Sequence, residues 1–277
     1  MAIKRILLPL CDTVGIEPIA EAAFLLGRLF KAQIRGLFAR PLEGPSCMPD
    51  ENFSLEKLKQ AIEKAGWRRA ECYRQTCEIF KDCAHRFADV DADFASTNGG
   101  EEVDLASAAR VADLSILGSG PRFAGNGWGK VRYTALFGSG RPVLLTPPAG
   151  IDVSTLTRLV IGWKDSLEAA RAVAAAHPFL ALAENVHLVA VGETDQSLAV
   201  LDQIEQYLRL HHAAVRSSVI PASGRTVGDA LLHRCETLGG ALLVMGAYSH
   251  GRWRERVFGG VTEHVLNKAR IPVLMVH

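Results

Sequence analysis

The chain has 277 residues, 48% of them apolar, and a formal net charge of +1. This length exceeds one typical domain of about 100–150 residues and is expected to form two. The balanced charge gives no electrostatic basis for nucleic acid or a membrane surface as a main partner. No secretory leader and no apolar run of about 18 residues is present, so the sequence predicts a cytoplasmic protein without a membrane segment.

Cysteine and histidine spacing argues against a metal site. None of the six cysteines forms a CxxC pair, which favours reduced thiols. Cys72, Cys77 and Cys83 lie on a predicted helix at offsets that distribute their side chains around its surface. The adjacent His211 and His212 point to different sides of a helix, so neither group is expected to bind zinc.

The chain begins with an alternation of strand and helix patterns. Apolar spacing predicts a strand at residues 4–10, a helix at 19–30 and a second strand at 33–39. The proline-containing stretch 41–54 predicts a surface loop, and loops of this length are either variable insertions or contact segments. A long amphipathic helix is expected over residues 55–88.

The same alternation continues to the end of the chain. Helices that connect successive strands place those strands parallel, so the sequence predicts a parallel sheet. The remaining predicted strands are residues 93–97, 113–118, 141–146, 158–163, 186–191, 216–220, 242–245 and 272–276, and the remaining predicted helices are 102–111, 168–181, 197–210, 226–238 and one that begins at 259.

The second half of the chain repeats the first. Residues 113–118 and 141–146 parallel residues 241–246 and 271–276, and each pair joins an apolar strand ending in glycine to a strand containing proline near its start. Two copies of one five-stranded α/β unit therefore fill the chain.

A stretch that breaks both helices and strands separates the two copies. Residues 147–150 read Pro-Pro-Ala-Gly, which is typical of a linker. We expect an N-terminal α/β domain at residues 1–148, which carries the 41–54 insertion, and a C-terminal α/β domain at residues 149–277. Each is expected to be a five-stranded, mostly parallel sheet with helices on both faces.

The stretch most informative about function joins the last two predicted strands. Gly246 closes a buried strand, and a glycine-rich loop leads to Gly259 and Gly260 at the start of a helix. Free backbone N–H groups beside the positive end of a helix dipole suit phosphate. The alternative is that the glycines only let the loop turn tightly over the sheet. His250 and His264 flank this loop, either to contact phosphate or only to pack.

These residues resemble the C-terminal motif of the universal stress protein family. Nucleotide-binding members of that family carry Gly-x2-Gly-x9-Gly followed by Ser or Thr. The corresponding residues are Gly246, Ser249, Gly259 and Gly260. The spacing matches throughout, but Ser249 replaces a glycine and Gly260 replaces the residue whose hydroxyl would contact phosphate. Because serine adopts fewer backbone conformations than glycine, the loop departs from the family pattern at this position.

The resemblance covers nearly all of residues 3–277 and looks like the bacterial subgroup with two tandem domains. It implies that the fifth strands of the two domains pair across a pseudo-twofold axis. It also implies an adenine nucleotide, ATP or a related one, in the C-terminal domain. The residues implied to contact the nucleotide are Lys164, Asp165, Val191, Gly246, Ser249, Gly259, Gly260, Val261 and Thr262.

The residue that faces the base and ribose in the family follows the first strand of each domain. Asp165 or Lys164 takes this position in the second copy, and Cys11 or Asp12 takes it in the first. The alternative is that Asp165 and Ser166 only cap the following helix, a role that needs no ligand.

The first copy has lost more of the phosphate loop. Its loop before Pro142 is two residues shorter than the loop before Pro272, and Pro121 supplies no N–H donor. Residues 125–130 remain glycine-rich and carry one lysine. This segment therefore either binds a phosphate or packs against the other domain.

No catalytic constellation is present. The sequence has no Gly-x-Ser-x-Gly elbow, Walker A loop, HExxH pair or dinucleotide fingerprint. Enzymatic activity would be limited to slow hydrolysis of a bound nucleotide. Two functions stay open: a stress-response protein that binds an adenine nucleotide in its C-terminal domain, and an interaction scaffold that binds none. The sequence does not specify the protein partner, and it is compatible with a homodimer.

Overall fold

A computed structural model describes residues 2–39, 55–96, 101–125, 127–192, 194–212, 214–247 and 260–277. The strands are β1 Arg5–Leu10, β2 Gln33–Phe38, β3 Ala92–Ser96, β4 Leu114–Gly118, β5 Val143–Thr146, β6 Arg158–Gly162, β7 Asn185–Val191, β8 Val215–Ile220, β9 Leu242–Gly246 and β10 Val273–Val276. The helices are α1 Glu17–Phe30, α2 Leu55–Arg86, α3 Glu101–Arg110, α4 Trp128–Gly138, α5 Leu167–Ala175, α6 His177–Leu180, α7 Thr194–Arg209, α8 Val227–Thr237 and α9 Gly260–Lys268. Short 3-10 helices lie at Pro121–Phe123 and Val153–Thr157.

All ten strands form one sheet in the order β3-β2-β1-β4-β5-β10-β9-β6-β7-β8. Each set of five strands has the same internal order, which confirms the predicted α/β repeat. The pairs inside each set are parallel. The sheet is therefore mostly parallel, as predicted.

The two sets of strands meet at an antiparallel seam between β5 and β10, where Leu144 pairs with Leu274. The pairing of the two fifth strands agrees with the implication of the family resemblance. Because the seam is antiparallel, the strands of the first half end at one edge of the sheet and those of the second half end at the opposite edge. A site at the carboxyl ends of the first five strands would therefore lie far from one at the ends of the second five.

Burial on both faces explains why the strands appear in the sequence as continuous apolar runs. Every residue of β4, β5 and β10 is buried, and so are all but the terminal residue of β1 and of β9. Helices cover both faces of a parallel sheet, so alternation of polar and apolar residues is not needed.

The predicted helix at 168–181 is wrong as one continuous element. The structure divides it into α5 and α6, with the break at Ala176. Pro178 lies in the first turn of α6, where its missing N–H costs no hydrogen bond. Proline inside the predicted span is the physical reason for the break.

The halves also contact each other away from the sheet. The N–H of Gly120 donates to the carbonyl of Leu266 at 2.8 Å, and Oγ of Ser119 donates to the carbonyl of Ala269 at 3.0 Å. Carbonyls at the end of a helix have no partner within that helix. The loop after β4 thus caps α9. The 41–54 insertion lies outside the described residues.

Within the described part of the chain, no helix is both long enough and apolar enough to cross a membrane. No disulfide links the cysteines found in those ranges, and Cys72 and Cys83 are buried in the first half.

Two histidines of the second half make the stability of the fold depend on pH. Partial burial, followed by the charge of His211, lowers the pKa of His177. Partial burial, followed by the charges of Arg234 and Arg216, lowers the pKa of His187. The fold therefore favours the neutral imidazoles. Their contribution to stability is complete above the unfolded pKa of about 6.5 and is lost as the pH falls through the lower folded values.

We expect the melting temperature to fall between pH 7.5 and pH 5.5, and His187→Gln to reduce this fall because it removes one site of proton uptake. Thermal unfolding at both pH values measures the effect. His233→Gln is a matched control, because the side chain of His233 is 48% exposed. An equal fall in wild type and His187→Gln would contradict the assignment.

Candidate functional site

The carboxyl ends of three strands lie side by side at one edge of the second half. Gly162 ends β6 and pairs with Val189 of β7 and Met245 of β9. Val191 ends β7, and Gly246 ends β9. We call this edge, together with the first turn of α9, the candidate site. Val191 and Gly246 are the last residues of their strands at this edge, and Lys164 and Asp165 follow the end of β6.

The turn from β6 to α5 forms one rim of the candidate site. Oγ of Ser166 accepts a hydrogen bond from the N–H of Ala169 at 3.2 Å and caps α5. The capping alternative is therefore realised by Ser166. The side chains of Lys164 and Asp165 are exposed beside it.

Gly246 is required by packing at the end of β9. A Cβ atom at this position would lie 2.7 Å from the backbone N of Ala169 and 2.7 Å from the carbonyl carbon of Glu168. A side-chain Cβ atom does not come this close to non-bonded backbone atoms. The end of β9 therefore reaches the first turn of α5 only because residue 246 is glycine. This close approach requires the glycine whether or not a ligand binds.

The start of α9 is open in comparison. Gly260 is exposed, and no atom of the described residues lies within 4 Å of the position that a Cβ atom would take. Val261 is half-buried, while the side chain of Thr262 is buried. Ser249 and Gly259, the other two predicted contact residues in this region, lie outside the described residues.

Helices α8 and α9 pack against each other at their first turns. A Cβ atom on Gly228 would lie 3.3 Å from the carbonyl oxygen of Val261 and 3.2 Å from Cδ2 of His264. Glycine at this position therefore permits the close approach. Thr226 caps α8 by accepting the N–H of Asp229 at 3.1 Å. The candidate site thus has two helix N-termini next to each other.

A close polar contact joins these two helices. Nε2 of His264 lies 2.5 Å from Oδ1 of Asp229. Oγ1 of Thr226 donates to Oδ2 of Asp229 at 2.8 Å. The sequence pattern predicted that α8 starts at Thr226, and His264 was one of the two histidines considered beside the loop. The contact between His264 and Asp229 was not predictable, because the two residues are far apart in the chain.

Comparison with protein families identifies the second half of the chain. The model of the universal stress protein family matches residues 156–277, which include β6 to β10. This match lies in the second half of the chain.

Solved structures extend the likeness to the whole chain. A universal stress protein from Archaeoglobus fulgidus DSM 4304 is 18% identical with a TM-score of 0.70, and the alignment covers 98% of this chain and 97% of that one. A protein of unknown function from Pseudomonas aeruginosa PAO1 is 15% identical with a TM-score of 0.54, and the alignment covers 99% of this chain and 92% of that one. These likenesses show the shared fold.

A universal stress protein solved in complex with cAMP is 18% identical with a TM-score of 0.35, and the alignment covers 44% of this chain and 97% of that one. Comparison with curated protein sequences gives no match.

In the first half, side chains of the protein occupy the edge that corresponds to the candidate site of the second half. Arg132 precedes Pro142 by the same ten residues that separate Thr262 from Pro272. Arg132 is 5% exposed, and its Nη2 donates to the carbonyls of Gly118 at 3.0 Å and Gly120 at 2.9 Å. A buried guanidinium therefore lies at the strand end where the second half has the start of α9.

Packing also restricts Gly129, in the first turn of α4. A Cβ atom on Gly129 would lie 2.8 Å from the carbonyl oxygen of Ala124. Trp128 is buried and packs edge-on against Phe123, with ring centroids 5.1 Å apart. Within the described ranges, no group of three or more His, Cys, Asp or Glu side chains is placed to hold a metal ion in either half.

Proposed function

We propose that this protein is a two-domain universal stress protein that binds one adenine nucleotide per chain, with the phosphates at the first turn of α9. The observation that carries the proposal is the exposed start of α9, where no atom of the described residues lies within 4 Å of the Cβ position of Gly260. The first N–H groups of a helix lack partners within that helix and lie at its positive end. Phosphate is the anion that this arrangement suits.

The roles of the site residues follow from their positions. Because the side chain of Thr262 is buried, we assign its contribution, like those of Gly260 and Val261, to the backbone N–H groups. The exposed Lys164 and Asp165 would contact the base and ribose, with the backbone of Val191 beside the adenine. We assign phosphate contacts to Gly246, Ser249 and Gly259 from the family motif.

We also propose that the domains divide after Pro148 and that only the C-terminal domain binds nucleotide. Arg132 supports this assignment, since its guanidinium occupies the strand end of the first half. A stoichiometry of one nucleotide per chain is the expected consequence.

Mass spectrometry of the full-length protein under native conditions tests the proposal, because retained ATP, ADP or AMP would add its own mass. Isothermal titration with ATP, AMP and cAMP then measures affinity and stoichiometry. We expect one molecule of an adenine nucleotide per chain. No added mass, with no heat at millimolar concentrations of all three nucleotides, would reject the proposal.

The second candidate function is an interaction scaffold that binds no nucleotide. Exposed apolar side chains on α2 favour it, since Trp67 is 73% exposed and Ile62 is 59% exposed. Large exposed apolar side chains on a helix are typical of contacts with other proteins. The replacement of motif residues at Ser249 and Gly260 also favours this candidate, and a second copy of the chain is one partner that it allows.

Restoring the family motif should strengthen nucleotide binding. We expect Ser249→Gly combined with Gly260→Ser to tighten ATP binding by about 1–2 kcal/mol, because a hydroxyl contact to a charged oxygen is gained and a backbone restriction is relieved. The open space at Gly260 accommodates the added hydroxymethyl group. Isothermal titration measures the change. Gly66→Ser on α2 is the matched control, because that glycine also has no atom within 4 Å of its Cβ position.

A further inference from the structure

Helix α2 presents a large apolar side chain to solvent on the face that points away from the sheet. Its inner face is buried against the first half and includes Thr76 and Phe80, whose ring centroid lies 5.0 Å from that of Phe94 in β3. Trp67 precedes Thr76 by nine residues, which is about two and a half helical turns. The side chain of Trp67 therefore lies on the opposite face, and it is 73% exposed.

Six exposed residues share this outer face of α2. Spacings of three or four residues place side chains on one side of a helix. The six residues, which we call the outer row, are Lys59, Glu63, Trp67, Ala70, Arg74 and Glu78. The outer row extends for about 28 Å along the helix axis. It combines two cations and two anions with one aromatic and one small apolar side chain.

The outer row is complementary to itself. Its members form three pairs, each symmetric about a point between residues 68 and 69: Lys59 with Glu78, Glu63 with Arg74, and Trp67 with Ala70. If two copies of α2 lie antiparallel across a twofold axis at this point, each residue meets its counterpart on the other copy. Both charged pairs then join opposite charges, and the indole meets a methyl group. A parallel pair of helices would instead place each charge against its own kind.

The apolar and charged members of the outer row would have different roles in such a contact. Burial of the Trp67 side chain would supply most of the affinity, since tryptophan is enriched among the residues that dominate interface energies. Exposed ion pairs add little, so the charges would set the direction and register of the helices. Arg74 already contacts Glu71 at 2.7 Å and Glu78 at 2.6 Å in its own helix. Glu63 of a second copy would extend this network.

We propose that the outer row of α2 is a docking surface for a second copy of this chain, whose own α2 lies antiparallel to the first. Close approach is possible because Ala70 is small and no atom of the described residues lies within 4 Å of the Cβ position of Gly66. A single pair of helices of this length is at the low end of interface sizes, so the dimer should dissociate on dilution. The inference depends on α2 alone and is independent of the proposed nucleotide site.

Sedimentation equilibrium of the full-length protein over a wide range of concentration tests the proposal. We expect wild type to show an equilibrium between monomer and dimer. Trp67→Ala should raise the dissociation constant of the dimer by at least roughly 30-fold, because it removes the central apolar contact on both copies. Leu210→Ala is the matched control, since Leu210 is 81% exposed in the second half of the chain and lies outside the outer row. This control should associate as wild type does.

Two charge reversals test the antiparallel register. Lys59→Glu and Glu78→Lys should each weaken self-association by roughly 3–10-fold, because each places two like-charged pairs in the dimer. An equal mixture of the two variants should form a mixed dimer in which both pairs are again of opposite charge. Association in the mixture should therefore return to the wild-type level. An effect of either substitution on its own helix would persist in the mixture.

Several results would overturn the inference. Wild type that remains monomeric at every concentration would do so, and a fall in melting temperature of monomeric Trp67→Ala would then show that the outer row is covered within one chain. A dimer that Trp67→Ala leaves unchanged would place the contact elsewhere. Charge variants that are not restored by mixing would exclude the antiparallel register. Thermal melts of each variant confirm that it is folded.

Discussion

Gly246→Ala should destabilise the protein by about 3 kcal/mol, although it adds only one methyl group. The added Cβ would lie 2.7 Å from backbone atoms of Glu168 and Ala169, in the first turn of α5. Backbone atoms in a capped helix cannot move aside as the end of a flexible side chain can. The strand or the helix must shift instead, which disturbs the core beneath them.

Chemical and thermal unfolding measure this effect, and a fall of roughly 6–12 °C in melting temperature is expected. Gly260→Ala is the matched control, because its Cβ position has no atom within 4 Å. We expect the control to remain within about 1 kcal/mol of wild type. Equal stability of the two variants would show that the approach of β9 to α5 is looser than described.

Gly259→Val should weaken ATP binding by at least about 100-fold without unfolding the protein. The residue directly precedes Gly260, the first residue of α9. Valine is a poor residue at a helix N-terminus, and its branched side chain restricts the backbone of the residue that leads into α9. Loss of two hydrogen bonds to a charged phosphate, each of about 1.5–3 kcal/mol, accounts for a decrease of this size. Isothermal titration and a thermal melt of the same sample distinguish lost binding from lost folding.

The matched control is Gly125→Val in the loop of the first half. Gly125 also has no atom within 4 Å of its Cβ position, so valine fits there. This control should bind ATP as wild type does. If Gly259→Val binds normally and Gly125→Val does not, the nucleotide site lies in the first half and the assignment to α9 is wrong.

The order and type of the strands and helices were predictable because the local pattern of apolar residues, glycines and prolines determines them. Strands such as β9 are buried on both faces and therefore appear in the sequence as apolar runs. Because the pattern is duplicated, the strands predicted in one half supported those predicted in the other. The break between α5 and α6 was missed, although Pro178 gave the signal for it. Apolar periodicity continued across the proline and outweighed it in the prediction.

The candidate site was less predictable because its geometry depends on contacts between distant parts of the chain. The motif spacing indicated Gly246, but not that α5 is the reason why glycine is needed there. Nothing in the local sequence showed that Arg132 fills the strand end of the first half, or that Asp229 contacts His264. Residue type and spacing identify the edge of the sheet, whereas tertiary packing decides which side chains meet at it.

The cap that the loop after β4 places on α9 shows how a repeat within one chain differs from a pair of identical subunits. Ser119 follows the last residue of β4, and Ala247 holds the same place after β9. Ser119 donates its hydroxyl to the carbonyl of Ala269, and alanine has no hydroxyl with which to return that bond to the first half. In a symmetric dimer one gene would specify both positions, so each change would appear twice. Because both copies lie in one chain, mutation can adapt the loop after β4 to hold a helix end without making the same change after β9.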